Sequence, residues 1–359
     1  MIVERPADAT TIDIHCHVMT PECEELVRPL FTPDLDPFTR YQSSTTVDYN
    51  RRHLEEIVPK LTHPEVRLAD MDRMGIDVQA ISVMPPQYFY WAEPELGARL
   101  ARMQNDNLAG IVGRYPDRFV GLGTVPLQDV DASIVELDRI VGDLGFTGIE
   151  ICTSVNGDDL DHPRFAPFLE RATALDLLIV MHPNGYSEGR RLADYYLINT
   201  VGMPMDSTVA IARMIFGGVL ERHPGLKICV VHGGGYLPSY PARFDHAYHA
   251  RDDCREHISR PPSEYLRRLH FDSMLFDADD LGRLIERYGA DHVLLGTDYP
   301  YDMGEDDPVG LVMGVAGLST DDRRRVLGEN AARLLRIDPS RYRRATPPAS
   351  LAAAGPDGS

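Results

Sequence analysis

"TIDIHCHV", residues 11–18, is a short run of apolar and β-branched residues, and it reads as a strand buried on both faces. His15 and His17 stand one residue apart in it, so on a strand both side chains point to the same side. An H-x-H pair is a weak signal by itself in a chain with 13 histidines. Its meaning depends on what the rest of the chain places beside it.

Seven more apolar runs follow. "DVQAISVM" (77–84) comes after the helical pattern "EVRLADMDRMG", and "RFVGLGTVPL" (118–127) after the helical stretch Pro94 to Arg114. "FTGIEICT" (146–153) follows "DASIVELDRIVGDLG", and "LLIVMHP" (177–183) follows "FAPFLERATALD". "LKICVVHGGG" (226–235) follows "TVAIARMIFGGVLERHPG", "LHFDSML" (269–275) a long polar helical region, and "HVLLGTDYP" (292–300) "DADDLGRLIERYGA". Eight strand-like segments alternating with helices in 359 residues predict an α/β fold, a (β/α)8 TIM-type barrel. A doubly wound sheet is the structural alternative, but no GxGxxG follows the first strand. Residues 19–63 break the rhythm; they read as an insertion over the barrel mouth, with a plain irregular surface loop as the simpler alternative. The barrel domain then spans residues 1–344, and the Pro/Ala/Gly-rich tail 345–359 is expected to be disordered.

Composition narrows the function classes. With 43% hydrophobic and 25% charged residues the chain can bury a large core. A net charge of −19 argues against nucleic acid and anionic membrane as partners, because both need a cationic face. A small anionic substrate remains open, since it feels the field of its own pocket. Cys16, Cys23, Cys152, Cys229 and Cys254 are scattered with no CxxC, so reduced thiols and a cytoplasmic location are expected. No basic-then-apolar leader and no bilayer-spanning run is visible.

In such a barrel, chemistry gathers at the C-terminal ends of the strands. His15 and His17 end strand one, His182 ends strand five, His232 ends strand six, and Asp298 ends strand eight. Taken singly, each histidine is as simply a hydrogen-bonded core residue and Asp298 a turn or cap. Four strands delivering such residues at one face point instead to a divalent metal site. His15, His17, His182 and Asp298 are the expected ligands. Imidazole and carboxylate suit zinc, and also manganese or iron. His232 is expected beside the metal as a general base.

These residues carry a resemblance. The stretches "IDIHCHV", "RFVGLGTVPLQD", "ELGARLARMQND", "VGMPMDSTVAI", "GGVLERHPGLKICVVHGGGYLP", "RPPSEYL" and "LGTDYPYDMGE" resemble the amidohydrolase superfamily, in its aminocarboxymuconate semialdehyde decarboxylase-like branch. The resemblance implies one metal, commonly zinc, held by His15, His17, His182 and Asp298, with His232 catalytic. It implies loss of CO2 from an unsaturated or aromatic carboxylic acid without oxidation or organic cofactor, through an sp3 centre at the carbon bearing the carboxylate. It also implies a homodimer in which two arginines bind substrate carboxylates. Arg243 matches the one given across the interface, and Arg51, or its neighbour Arg52, the other. A guanidinium fork suits a carboxylate, although an exposed surface charge is the simpler reading of each. The family's type member has a Trp-Asp pair after the strand-five histidine, where this chain has Asn184-Gly185. A roomier or wetter pocket is expected there, open to hydroxybenzoates and their heteroaromatic relatives. The glycines of "HGGG" read as space for a substrate near the backbone; no GxSxG accompanies them to support a serine hydrolase.

The competing function is a metal-dependent hydrolase or cyclase acting on an amide, ester or lactone, which needs the same metal and histidine. The product, CO2 or a cleaved acyl bond, separates the two. A barrel kept only as a binding scaffold is disfavoured by the complete ligand set, since ionisable groups are costly to bury without a task.

Overall fold

Each of the eight apolar runs forms a strand: β1 (Ile12–Val18), β2 (Val78–Val83), β3 (Phe119–Gly123), β4 (Gly148–Cys152), β5 (Leu178–His182), β6 (Lys227–Val230), β7 (His270–Asp272) and β8 (Val293–Leu294). The computed structural model describes residues 5–6 and 8–342, so the tail expected to be disordered lies outside the described residues. The strands pair in chain order and in parallel. Beyond β8 the chain returns to β1: Ile14 N donates to Leu295 O (2.9 Å), Asp298 N to His15 O (2.8 Å), and His17 N to Tyr299 O (2.9 Å). These bonds join the last strand's extension to the first and complete the barrel. A two-residue hairpin, Ser154–Val155 with Asp158–Asp159, stands apart at the end of β4.

Side chains alternate between two apolar layers, as the two-residue strand period requires. Val78, Ala80, Leu178, Val180, Cys229 and Leu294 share one cluster with Leu334 and Leu335 of the C-terminal helical segment, which plugs the barrel. Their neighbours Ile81, Val83, Ile179, Met181, Ile228 and Val230 pack outward against helix residues such as Leu108, Leu137, Phe168 and Ile211. Burying each such side chain contributes roughly 1.5–3 kcal/mol. The helices begin where the chain supplies caps: Asp129, Asp277 and Asp307 accept the first free amides of helices Val130–Gly142, Ala278–Tyr288 and Pro308–Gly314.

β1 departs from simple alternation. Its register against β2 slips between Asp13 and Cys16, the signature of a bulge. Ile12 and Ile14 lie in the inner cluster, whereas Cys16 and Val18, in step with them by number, lie in the outer one. The extra residue reverses the phase, so His15 and His17 turn inward above Ile12 and Ile14.

Residues 19–63 are mostly helical: Pro21–Val27, Pro37–Arg40 and Ser44–Thr62. They touch loops that leave the C-terminal ends of β5 and β8. Asn184 Nδ2 donates to Asp36 Oδ2 (2.7 Å), Ser43 N to Ala193 O (3.0 Å), and Asp302 N to His53 Nε2 (3.0 Å). Among the described residues, no helix is long and apolar enough to cross a membrane. The five cysteines are free thiols.

Candidate metal and active site

Four imidazoles meet at the C-terminal mouth of the barrel. Ring centroids of His15, His17, His182 and His232 lie 4.9–5.2 Å apart in the pairs that touch. Asp298 stands among them. His17 Nε2 lies 3.1 Å from Asp298 Oδ1, His15 Nε2 3.2 Å and His182 Nε2 3.9 Å from the same oxygen, and His232 Nε2 3.4 Å from Oδ2. His232 (φ 55°) and Asp298 (φ 54°) both adopt left-handed backbone, uncommon for non-glycine residues and typical of positions held by function.

The hydrogen bonds define the tautomers. His15 Nδ1 bonds the Asp272 carboxylate (2.7 Å), His17 Nδ1 faces Val83 O (3.2 Å), and His182 Nδ1 faces Pro183 O (2.6 Å). Each acceptor requires Nδ1–H, so in the neutral ring each Nε2 presents its lone pair toward Asp298. Nε2 of His15 and of His182 is buried with no hydrogen-bond partner. Converging lone pairs on a carboxylate repel unless a positive charge lies between them.

The His182 imidazole is held well below its ordinary pKa by burial, which outweighs the pull of the Asp298 carboxylate 3.9 Å away. Burial also lowers His15, but Asp298 and Asp272 outweigh it and hold that ring well above the ordinary value. Burial raises the Asp298 carboxyl, yet the charge on His15 and the closeness of His15, His17 and His182 carry it well below the carboxylate range. A single divalent cation would satisfy the converging lone pairs and the carboxylate together. His15, His182, His232 and Asp298 offer ligand atoms all within 4.8 Å of one another. His17 reaches Asp298 without belonging to that four-atom group. The geometry thus draws His232 closer to the ligands than sequence reasoning placed it.

Two further carboxylates support the cluster, and sequence reasoning missed both. Asp272, the last residue of β7, accepts from His15 through one oxygen and from Gly233 N (2.8 Å) through the other, which ties β1 to the His232 loop. It sits at a strand's C-terminal end, so the rule that found Asp298 would have found it. Glu150 of β4 accepts from Ser82 Oγ and Tyr88 OH, both at 2.8 Å, and lies 3.8 Å from His17 Nδ1. Its signal was a lone acid inside the apolar run "GIEIC".

A cavity of about 490 Å³ ends at His232 and Asp298, walled by Met203, Tyr236, Leu275 and Phe276. One expectation about its surroundings needs correction. Beside the Asn184-Gly185 pair there is no extra room: a Cβ on Gly185 (φ 82°) would lie 2.6 Å from Phe38 N, because the Pro37–Phe38 backbone fills that space. The "HGGG" glycines serve the fold as much as the cavity. Gly233 and Gly235 line it, but Gly233, Gly234 and Gly235 all have positive φ, and added Cβ atoms would meet Leu275, Phe271 and Pro204 within about 2.5 Å.

The arginines do not join the cluster. Arg51, on helix Ser44–Thr62, is 62% exposed and pairs with Glu55 (3.2 Å); Arg52 is exposed beside it. Arg243 is exposed on helix Pro241–Ala250, an element that buries only Pro241.

The comparisons agree with this geometry. A family described as Amidohydrolase matches residues 12–337. The chain is 35% identical over 335 residues to 2-amino-3-carboxymuconate-6-semialdehyde decarboxylase of Dictyostelium discoideum, covering 92% of this chain and 93% of that protein. It is 30% identical over 294 residues to gamma-resorcylate decarboxylase of Rhizobium radiobacter, covering 76% and 87%. Among solved structures, 5-carboxyvanillate decarboxylase from Sphingomonas paucimobilis superposes with a TM-score of 0.82 at 28% identity, covering 92% of this chain and all of that one. With a barrel of eight parallel strands, a histidine-aspartate cluster at its mouth and a family match over nearly its whole length, the chain belongs to the amidohydrolase family.

Proposed function

We propose that this protein is a metal-dependent, non-oxidative decarboxylase of an unsaturated or aromatic carboxylic acid. The observation that carries it is the convergence of His15, His17, His182, His232 and Asp298 at the inner end of a cavity that His232 and Asp298 line, in a chain similar to decarboxylases. His15, His17, His182 and Asp298 hold the metal and His232 is the catalytic residue; zinc is the expected ion, with manganese and iron suited to the same donors. When bound, the metal supplies a Lewis acid.

The remaining work falls to the chain. The cavity is large enough for a single-ring acid, and its Met203, Leu275 and Phe276 wall shields the reacting carbon from water. His232 stands at the inner end, and its Nδ1 has no hydrogen-bond partner within the described residues. It gives its proton to the carbon that bears the carboxylate, the unsaturated system's π electrons forming the C–H bond and an sp3 centre; the C–CO2 bond then breaks and its electron pair restores the unsaturated system. One carboxylate and one proton become CO2 and a C–H bond, with no net oxidation. Segment 19–63 covers the mouth. Arg51 and Arg243 bind substrate carboxylate, Arg243 in the neighbouring pocket of a homodimer; its exposure on a helix of which only Pro241 is fully buried supports that role. The free cysteines suit the cytoplasm.

The test is to incubate metal-loaded protein with muconate, hydroxybenzoate and heteroaromatic acids, alongside amides, esters and lactones. Release of CO2 supports the proposal. Cleavage of an acyl bond with no CO2 from any acid would overturn it in favour of a hydrolase.

A further inference from the structure

Behind β1 and β2, on the face turned toward the helices, lies a buried polar chain that does not line the cavity. It starts at Arg67, on helix Pro64–Met74 and only 1% exposed. Arg67 Nε donates to Gln79 Oε1 (2.7 Å), and Gln79 Nε2 donates to Asp13 Oδ2 (2.9 Å). Asp13 Oδ1 accepts the amide of His15 (3.1 Å), and its Oδ2 also accepts Thr297 Oγ1 (2.7 Å), next to Asp298. The second arm of Arg67 donates to the carbonyl of His17 (2.7 Å), and its guanidinium lies over the Tyr299 ring at 4.8 Å.

These contacts bracket the β1 bulge. One end of the chain grips the backbone at His15, the other at His17, and Thr297 brings in the segment that carries Asp298. A fully buried arginine is expensive to desolvate, and an apolar side chain could fill the same volume, so packing alone does not account for it. A rigid fork that donates in two directions is what guanidinium offers and ammonium does not. We infer that Arg67 is a positioning residue for the metal site, holding the β1 bulge through Gln79 and Asp13 so that His15 and His17 aim at one point. The inference rests on the reading of His15 and His17 as metal ligands.

Groups that orient ligands without touching the metal typically matter by roughly 10–100-fold in metal affinity. The experiment compares wild type, Arg67→Met, Arg67→Lys, Gln79→Leu and a control, Arg118→Met. Arg118 is comparably buried (3% exposed); it pairs with Asp72 (2.8 Å) and donates to Asp77 O (2.9 Å) and Ile76 O (3.1 Å), none of them in the chain that grips His15 and His17. Zinc affinity is read by chelator competition on the folded fraction, and ligand geometry by the visible spectrum of the cobalt-loaded proteins. Arg67→Met and Gln79→Leu are expected to weaken zinc binding about 10–100-fold and to alter the cobalt bands. Arg67→Lys should fall between them and wild type, and Arg118→Met should match wild type. If Arg67→Met does not fold, Gln79→Leu breaks the same connection at a neutral residue. Affinity and spectrum unchanged in Gln79→Leu and Arg67→Lys, or equally weakened in Arg118→Met, would overturn the inference. A wild-type protein that binds no zinc or cobalt would sink the ligand reading itself, and this inference with it.

Discussion

Replacing Asp206 by Asn should stabilise the protein at neutral pH and do little in acid. Asp206 lies on helix Met203–Phe216, 8% exposed, and accepts a hydrogen bond from Thr153 Oγ1. Burial pushes its carboxyl from 3.8 up to about 6, against the lowering effect of the Thr153 bond. A carboxyl with a raised folded pKa binds its proton more tightly in the folded state. Folding is therefore undisturbed below pH 4 and loses stability as pH rises through about 6. A shift of about two units at 1.36 kcal/mol each makes the cost about 3 kcal/mol at pH 7.5. Asparagine carries no charge and keeps an oxygen for Thr153. The assay is urea unfolding of both proteins, stripped of metal, at pH 4 and pH 7.5, with stability taken from midpoint and slope. Other carboxylates cancel in the difference between the two proteins. The variant's advantage should grow by about 2.4 kcal/mol between the two pH values. An advantage that stays constant, within about 0.5 kcal/mol, would show that Asp206 titrates normally and that burial is not penalising its charge.

Three other outcomes follow from the site. His232→Ala should keep its metal and lose roughly a hundredfold to ten-thousandfold in turnover; elemental analysis that finds the metal gone would make His232 a ligand instead. Mixing inactive His232→Ala with inactive Arg243→Ala should restore activity through heterodimers holding one intact pocket, while a mixture that stays dead despite subunit exchange would place Arg243 in its own chain's pocket or in a structural role. Gly185→Ala should lower stability by more than about 1 kcal/mol, because its φ of 82° and the Phe38 amide 2.6 Å from the new Cβ both oppose it; an unchanged thermal midpoint would mean that the Pro37–Phe38 segment yields freely.

The alternation of apolar runs and helical patterns was legible because both periods are local, and it places all eight barrel strands within a few residues of where they form. The positional rule for barrel strands then brought His15, His17, His182, His232 and Asp298 to one mouth, where the structure gathers them. The rest depended on contacts between residues far apart in the chain. The β1 bulge is a matter of register against β2 and is invisible in "TIDIHCHV" alone, yet it turns His15 and His17 inward. Asp272 becomes a partner of His15 only when barrel closure leaves β8 alone between β7 and β1. The space beside Gly185 looked open because sequence shows the missing side chain and not the Pro37–Phe38 backbone, 147 residues earlier at Phe38, that folds over to fill it. Local pattern chose the strands and the chemistry they could carry; register and packing, which sum over distant pairs, decided where each side chain points.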